Sequence, residues 1–140
     1  MAKAVIAALQ QRFPGDVTDA YEGVGGDDVA FVARARIAEV CRFLKEDPAL
    51  RFDMAPYLTA VDYLGVEPRF EVVYQLYSTV HNHRARLRVK VPSSDASVPT
   101  VTGVWRGAEW FERYCWDMYG IQFPGHPDMR RLFMYDEFVG

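Results

Sequence analysis

RFEVVYQLYSTVHNHRARLRVKV, residues 69–91, contains two alternating segments separated by a polar turn. The apolar positions of the first segment are Phe70, Val72, Tyr74 and Leu76. In the second, Leu87, Val89 and Val91 alternate with the cations Arg84, Arg86, Arg88 and Lys90. Successive side chains of a strand point to opposite faces of a sheet. The pattern therefore predicts two neighbouring strands whose four cations share the face opposite the core.

Other strand patterns lie on the N-terminal side of this stretch. Residues 57–64 are rich in aromatic and branched side chains and are followed by a turn at residues 65–68. Since the joining turns are too short for a crossover, the three strands are predicted to form an antiparallel meander. Residues 17–21 and 29–32 are shorter strand candidates, and the turn-rich GVGGDD between them suits a hairpin.

Helical spacing occurs three times. Val5, Ile6, Leu9 and Phe13 predict a first helix, and Ile37, Val40, Cys41 and Leu44 predict a second. Pro99 is well placed to begin a short helix, and a longer helix over residues 107–119 is stopped by Gly120. The predicted fold class is α+β: an antiparallel sheet meander with helices packed on one face, as a two-layer sandwich. Residues 1–140 are predicted to form a single domain.

Composition narrows the function classes. The 140 residues have a net charge of −3 and are half hydrophobic, so the chain is neither disordered nor, as a whole, a polyanion binder. No segment approaches eighteen consecutive apolar residues, so we expect contact with a membrane only through a partner. Cys41 and Cys115 lack metal-site spacing and are expected to be reduced core thiols.

The long helix has two chemically different halves on a helical wheel. Its apolar half contains Trp110, Phe111, Tyr114, Cys115, Met118 and Tyr119, and its charged half contains Glu109, Glu112, Arg113 and Asp117. Trp116 projects into the charged half, which we expect to face solvent. Two interpretations remain open: the C-terminal loop covers Trp116, or Trp116 contacts a partner protein.

Candidate catalytic and metal sites are weakly supported. Glu112 and Asp117 lie about 140° apart around the helix, and the neighbouring Arg113 would keep carboxylates ionised. We therefore expect structural ion pairs there. His81 and His83 lack a third metal ligand nearby.

His126 stands beside Pro127 and Asp128 without an adjacent nucleophile. We expect His126 and Asp128 to hydrogen-bond the loop backbone, with a small enzyme centred on them as an alternative. An RNA-binding module that uses the strand Arg84–Lys90 is another alternative, although it would need exposed aromatic residues on the same face. A solvated or protein-docking face is favoured over RNA.

GIQFPGHPDMRR, residues 120–131, concentrates special residues after the long helix. Pro124, Gly125 and Pro127 fix a tight path for the chain. Arg130 and Arg131 offer planar donors to carboxylates of a partner or of this domain. The segment is interpreted as a docking element.

Four stretches together resemble one family: LTAVDYLG, RFEVVYQLYS, RLRVKV and WFERYCWDMYGIQFPGHPDMRRLFM, within residues 58–134. They are similar to the 30-kDa subunit of proton-pumping NADH:quinone oxidoreductase, respiratory complex I. Two departures stand out. The family helix usually carries Glu-Arg-Glu where this chain has Glu112, Arg113 and Tyr114. Family members also usually continue past DEFVG, so the family's C-terminal tail is absent here.

The resemblance implies a non-catalytic hydrophilic subunit of the peripheral arm, without flavin, iron–sulfur cluster or metal. Such subunits dock on the 49-kDa protein of the complex near the quinone site, whereas FMN and iron–sulfur clusters belong to partner subunits. The expected location is the cytoplasmic side of the bacterial inner membrane, reached only through the complex, with no nucleic-acid partner. Related membrane-bound hydrogenases and formate hydrogenlyase use an equivalent subunit, which is the alternative function.

The resemblance also assigns a set of residues to the family motif or to a partner interface, and none to catalysis, cofactor or metal. They are Glu112, Arg113, Trp116, Asp117, Gly120, Gly125, His126, Pro127, Asp128, Arg130 and Arg131.

Overall fold

A computed structural model describes residues 2–23 and 27–127 of the chain. The helices are α1 (Ala2–Arg12), α2 (Ile37–Glu46) and α3 (Ala108–Tyr119). The strands are β1 (Val17–Glu22), β2 (Asp28–Val32), β3 (Met54–Asp62), β4 (Phe70–Ser78) and β5 (His83–Val91). These elements confirm the predicted strands and the three longer helices. Among the described helices, none is long and apolar enough to cross a membrane.

The predicted short helix at Pro99 is wrong. Residues 98–101 have no regular secondary structure because their backbone groups bond to a later segment. The N–H of Val98 donates to the Gln122 carbonyl at 2.9 Å, and the N–H of Thr100 donates to the Pro124 carbonyl at 3.0 Å. A proline at a favourable helix position does not outweigh such tertiary pairing.

The five strands form one sheet in the order β1-β2-β5-β4-β3. Strands β3, β4 and β5 pair antiparallel, which confirms the meander. Strands β1 and β2 form the predicted hairpin, and β2 joins the meander by pairing parallel to β5. The alternating pattern gave no sign of this parallel pair, because it joins strands more than fifty residues apart.

The core lies between the three helices and one face of the sheet. Alternate residues of β4 and β5 pair across this face, for example Tyr74 with Leu87. Buried helix residues, including Leu9, Leu44 and Cys115, belong to the same hydrophobic cluster. The α+β two-layer prediction is therefore confirmed. The opposite sheet face carries no helix within the described part of the chain and presents the four cations of β5.

Candidate docking site

Helix α3 buries the side that carries its carboxylates, contrary to the helical-wheel prediction. Glu112 is fully buried and Asp117 is 5% exposed, whereas Trp110 and Met118 are 48% and 47% exposed. Glu112 and Asp117 were expected on a solvated half of the helix, and that expectation is wrong. The apolar half is the one that reaches the surface.

Hydrogen bonds from the loop before α3 explain why a carboxylate is buried. The Thr100 hydroxyl donates to Glu112 Oε1 at 2.5 Å, and the N–H of Val101 donates to Oε2 at 2.8 Å. A buried carboxylate without donors would be strongly destabilising. The wheel misplaced Glu112 because it counts only residues of the helix, and both donors lie in a loop.

His126 lies beside the same carboxylate, with Nε2 4.0 Å from Glu112 Oε1. Its Nε2 is also 3.0 Å from the carbonyl oxygen of Glu109 in the first turn of α3. The histidine therefore hydrogen-bonds backbone, as predicted, but the carbonyl belongs to α3 and not to its own loop. We call Thr100, Val101, Glu112 and His126 the Glu112 cluster.

Burial controls the ionisation of the cluster. It raises the pKa of Glu112 to about 7, and the hydrogen bonds from Thr100 and Val101 act in the opposite direction. A near-neutral carboxyl beside a histidine is a familiar acid–base pair. Here the side chains of His126 and Glu112 are only 1% and 0% exposed, so a substrate has no direct approach. The geometry favours a positioning role for the cluster.

The segment after α3 closes over the cluster. Gly120 ends the helix in the left-handed conformation, with φ 74°, as predicted. Residues 121–124 then run beside residues 96–100, with Ile121 and Phe123 buried in the core. Gly125 has φ +90°, and an added Cβ would lie 2.9 Å from Thr100 Cγ2. This close approach is why the chain needs glycine there.

The remaining motif residues have mixed environments. Arg113 and Trp116 are partly buried, so Trp116 is not the fully solvated tryptophan that the wheel placed on the charged half. Pro127 is exposed in a bend. Three further predicted site residues lie outside the described part of the chain: Asp128, Arg130 and Arg131.

The surface above the cluster is aromatic. Trp110 stacks on Tyr114, with ring centroids 5.8 Å apart, and meets Phe111 edge-on at 5.6 Å. Phe111 in turn contacts Tyr57 of β3 at 6.4 Å. We call Tyr57, Trp110, Phe111 and Tyr114 the aromatic cluster, and Met118 extends it along α3. Contiguous exposed apolar residues of this kind mark binding surfaces. Sequence reasoning missed Tyr57, since nothing local indicates that β3 lies beside α3.

The histidines of the β4–β5 turn serve the backbone. His81 Nε2 is 2.9 Å from the Pro48 carbonyl oxygen, and His83 Nε2 is 2.9 Å from that of Leu50. No group of three candidate metal ligands occurs in the residues that the structure describes. Both cysteines are buried free thiols.

A comparison with protein families identifies one that matches most of the chain. Residues 30–140 match the sequence profile of the respiratory-chain NADH dehydrogenase 30-kDa subunit. Among curated proteins, the second C-type subunit of NADH-quinone oxidoreductase from Rhizobium etli is 46% identical over 134 residues, covering 96% of this chain and 71% of the relative. The C-type subunit of NADH-quinone oxidoreductase from Geobacter sulfurreducens is 45% identical over 139 residues, covering 99% and 83%.

Solved structures give the same picture. The trypsin-resistant fragment (1–134) of Nqo5 superposes with a TM-score of 0.76 at 29% identity, covering 91% of this chain and 99% of that one. A chain of the membrane-bound sulfane sulfur reductase, an archaeal respiratory membrane complex, also has a TM-score of 0.76 but only 23% identity, covering 96% and 77%. The second likeness concerns the fold alone.

Proposed function

Because the chain belongs to the family of the respiratory-chain NADH dehydrogenase 30-kDa subunit, we propose that it is a docking subunit of an NADH:quinone oxidoreductase. It binds the 49-kDa homologue in the peripheral arm, near the quinone site. It has no active site of its own and supports electron transfer from NADH to quinone by holding that partner in place. FMN and the iron–sulfur clusters belong to partner subunits.

The observation that carries this proposal is the aromatic surface of α3 and β3. Trp110 and Tyr57 are 48% and 52% exposed and belong to one continuous group of ring contacts. Burying an exposed aromatic side chain against a partner stabilises a complex by a few kcal/mol, and tryptophan and tyrosine dominate interface hot spots. The side chain of Met118, 47% exposed, offers an adaptable contact next to them.

The motif residues fix the shape of this surface from below. Glu112 and His126 join α3 to the segments on either side of it, while Gly120 and Gly125 turn the chain back across the helix. The family motif thus acts in docking mainly through position. We place the chain on the cytoplasmic side of the membrane, held there through its partners.

A related membrane-bound hydrogenase or formate hydrogenlyase is the competing assignment. The curated relatives described above, 46% and 45% identical over nearly the whole chain, carry the name of the quinone-reducing complex. That level of identity favours NADH:quinone oxidoreductase over the competing complexes.

The test is co-purification with a tagged 49-kDa homologue from the assembled complex. The Trp110→Ala, Met118→Ala double variant removes two half-exposed side chains, and we expect at least fivefold less of the chain to be retained. The control variant Tyr21→Ala, Val80→Ala removes side chains that are 42% and 57% exposed elsewhere. If the two double variants were retained equally well, the aromatic surface would not be the docking site.

A further inference from the structure

The sheet face opposite the core is strongly cationic although the whole chain is acidic. Arg84, Arg86, Arg88 and Lys90 alternate along β5 with core residues that are at most 1% exposed. Period-two alternation places all four on the face that carries no helix. The net charge of the chain is −3, so this concentration of cations is local.

Only one of the four cations is neutralised by an ion pair within the described residues. Arg88 Nε donates to Glu71 Oε2 at 2.5 Å, and its Nη1 donates to the Tyr21 hydroxyl at 2.7 Å. Arg84, Arg86 and Lys90 form no ion pair within residues 2–23 and 27–127. Three positive charges on the central strand of the sheet therefore remain uncompensated by this part of the chain.

The aromatic rings on this face lie beneath the cations. The Arg88 guanidinium carbon is 4.7 Å from the centre of the Phe31 ring, and Lys90 Nζ is 5.0 Å from it. The Arg84 guanidinium carbon is 6.0 Å from the Tyr77 ring centre. An RNA-binding sheet stacks bases on bare aromatic rings. Covered rings instead favour an anionic protein segment, which needs the cations and not the rings.

A depression of about 410 Å³ opens between β4 and β5 at the two arginines. It is lined by Asp27, Pro56, Gln75, Tyr77, Arg84 and Arg86. Arg86 Nε donates to Gln75 Oε1 at 3.1 Å, and Gln75 Nε2 donates to the Ala85 carbonyl and to Asp27 Oδ2, both at 3.3 Å. These bonds hold the guanidinium of Arg86 in one orientation at the rim. The Nη groups of Arg84 and Arg86 make no hydrogen bond in the described residues.

We propose that this depression and the cationic face around it bind an acidic segment of a second partner subunit, with a carboxylate between Arg84 and Arg86. Two arginines at alternate positions of one strand are about 6.6 Å apart along the chain. That spacing fits two carboxylates at alternate positions of an extended segment. Planar guanidinium groups bind carboxylates through paired hydrogen bonds. The inference rests on the proposed function only in requiring that the chain works inside a multisubunit complex.

The first experiment measures release of the chain from the purified complex as NaCl is raised. We expect the Arg84→Glu, Arg86→Glu variant to dissociate at less than half the NaCl concentration that releases the wild type. The milder Arg84→Gln, Arg86→Gln variant should fall between them, which keeps the test informative if charge reversal impairs folding. Arg12→Glu, Arg106→Glu is the control, with two exposed cations from other surfaces. Equal release of the test and control variants would overturn the inference.

The second experiment replaces Tyr77 with a photoreactive benzoylphenylalanine in the intact complex. The expected adduct is a peptide of another subunit that contains at least two Asp or Glu residues. An adduct to RNA, an adduct to a peptide without acidic residues, or no adduct would each refute the inference. A wild-type chain that is missing from the complex would refute both this inference and the proposed function. Normal assembly with unchanged salt release would refute this inference alone.

Discussion

At the scale of single residues, Glu112 makes the stability of the domain depend on pH. Its ordinary pKa of 4.5 rises to about 7 on folding, so between these values the folded state keeps a proton that the unfolded state releases. Stability is therefore full below about pH 4.5 and declines as pH rises to about 7. A shift of this size corresponds to about 3 kcal/mol.

Glu112→Gln is expected to remove that decline while keeping the side chain uncharged. Urea denaturation of the wild type and the variant between pH 4.5 and 8 measures the difference in unfolding free energy. The control is Glu46→Gln, which changes an exposed carboxylate of α2. A decline of the same size in the Glu112→Gln variant would contradict the assignment.

Gly125 is the second residue whose role can be measured. Gly125→Ala combines a φ of +90° with a 2.9 Å contact to Thr100 Cγ2, and we expect it to lower the unfolding free energy by about 2 kcal/mol. Gly107→Ala is the matched control, because Gly107 has φ −62° and an added Cβ meets nothing within 4 Å.

Thr100→Ser separates the two causes. It removes Cγ2 but keeps the hydroxyl that donates to Glu112. Thermal melts of the Gly125→Ala, Thr100→Ser double variant should recover part of the stability lost by Gly125→Ala. No recovery would mean that backbone strain alone is responsible.

At the scale of elements, residues 121–124 act as a strand-like clip across the residues before α3. Phe123 is 2% exposed, and Phe123→Ala should lower the unfolding free energy by about 3–5 kcal/mol. Gln122 bonds Ala96 and Val98 only through its backbone, so Gln122→Ala should change stability by less than about 0.5 kcal/mol. Urea denaturation of both variants tests the clip, and comparable losses would argue against it.

The elements also show where sequence reasoning succeeds. The strands β4 and β5 were predictable because each has one buried and one exposed face, which imposes a period of two on the sequence. Helix α3 was located correctly, but its buried side was not. Wheel polarity identifies the core side only when buried polar groups are absent, and Glu112 is satisfied by donors from another segment. The pairing of β2 with β5 leaves no local pattern at all.

At the scale of the whole molecule, the sheet order predicts a gradient of stability. Strand β5 is bonded on both sides, by β2 and β4. Strand β1 lies at the edge and pairs only with β2, with an irregularity between Thr18 and Tyr21. We expect β5 amides to exchange hydrogen only on global unfolding and β1 amides to exchange at least tenfold faster. Hydrogen exchange measured by NMR tests this, and equal protection of the two strands would contradict it.

The parallel pair of β2 and β5 also has a consequence for the order in which the molecule can be made. Phe31 pairs with Arg88, which is synthesised 57 residues later (88 − 31). At about 5–20 residues per second, a ribosome needs roughly 3–11 s to cover that distance. The β1–β2 hairpin is thus complete for several seconds before its template exists. During that interval Val29 and Phe31 lack their native neighbours, so a nascent chain of this family is most exposed to mispairing and to chaperone binding at its N-terminal hairpin.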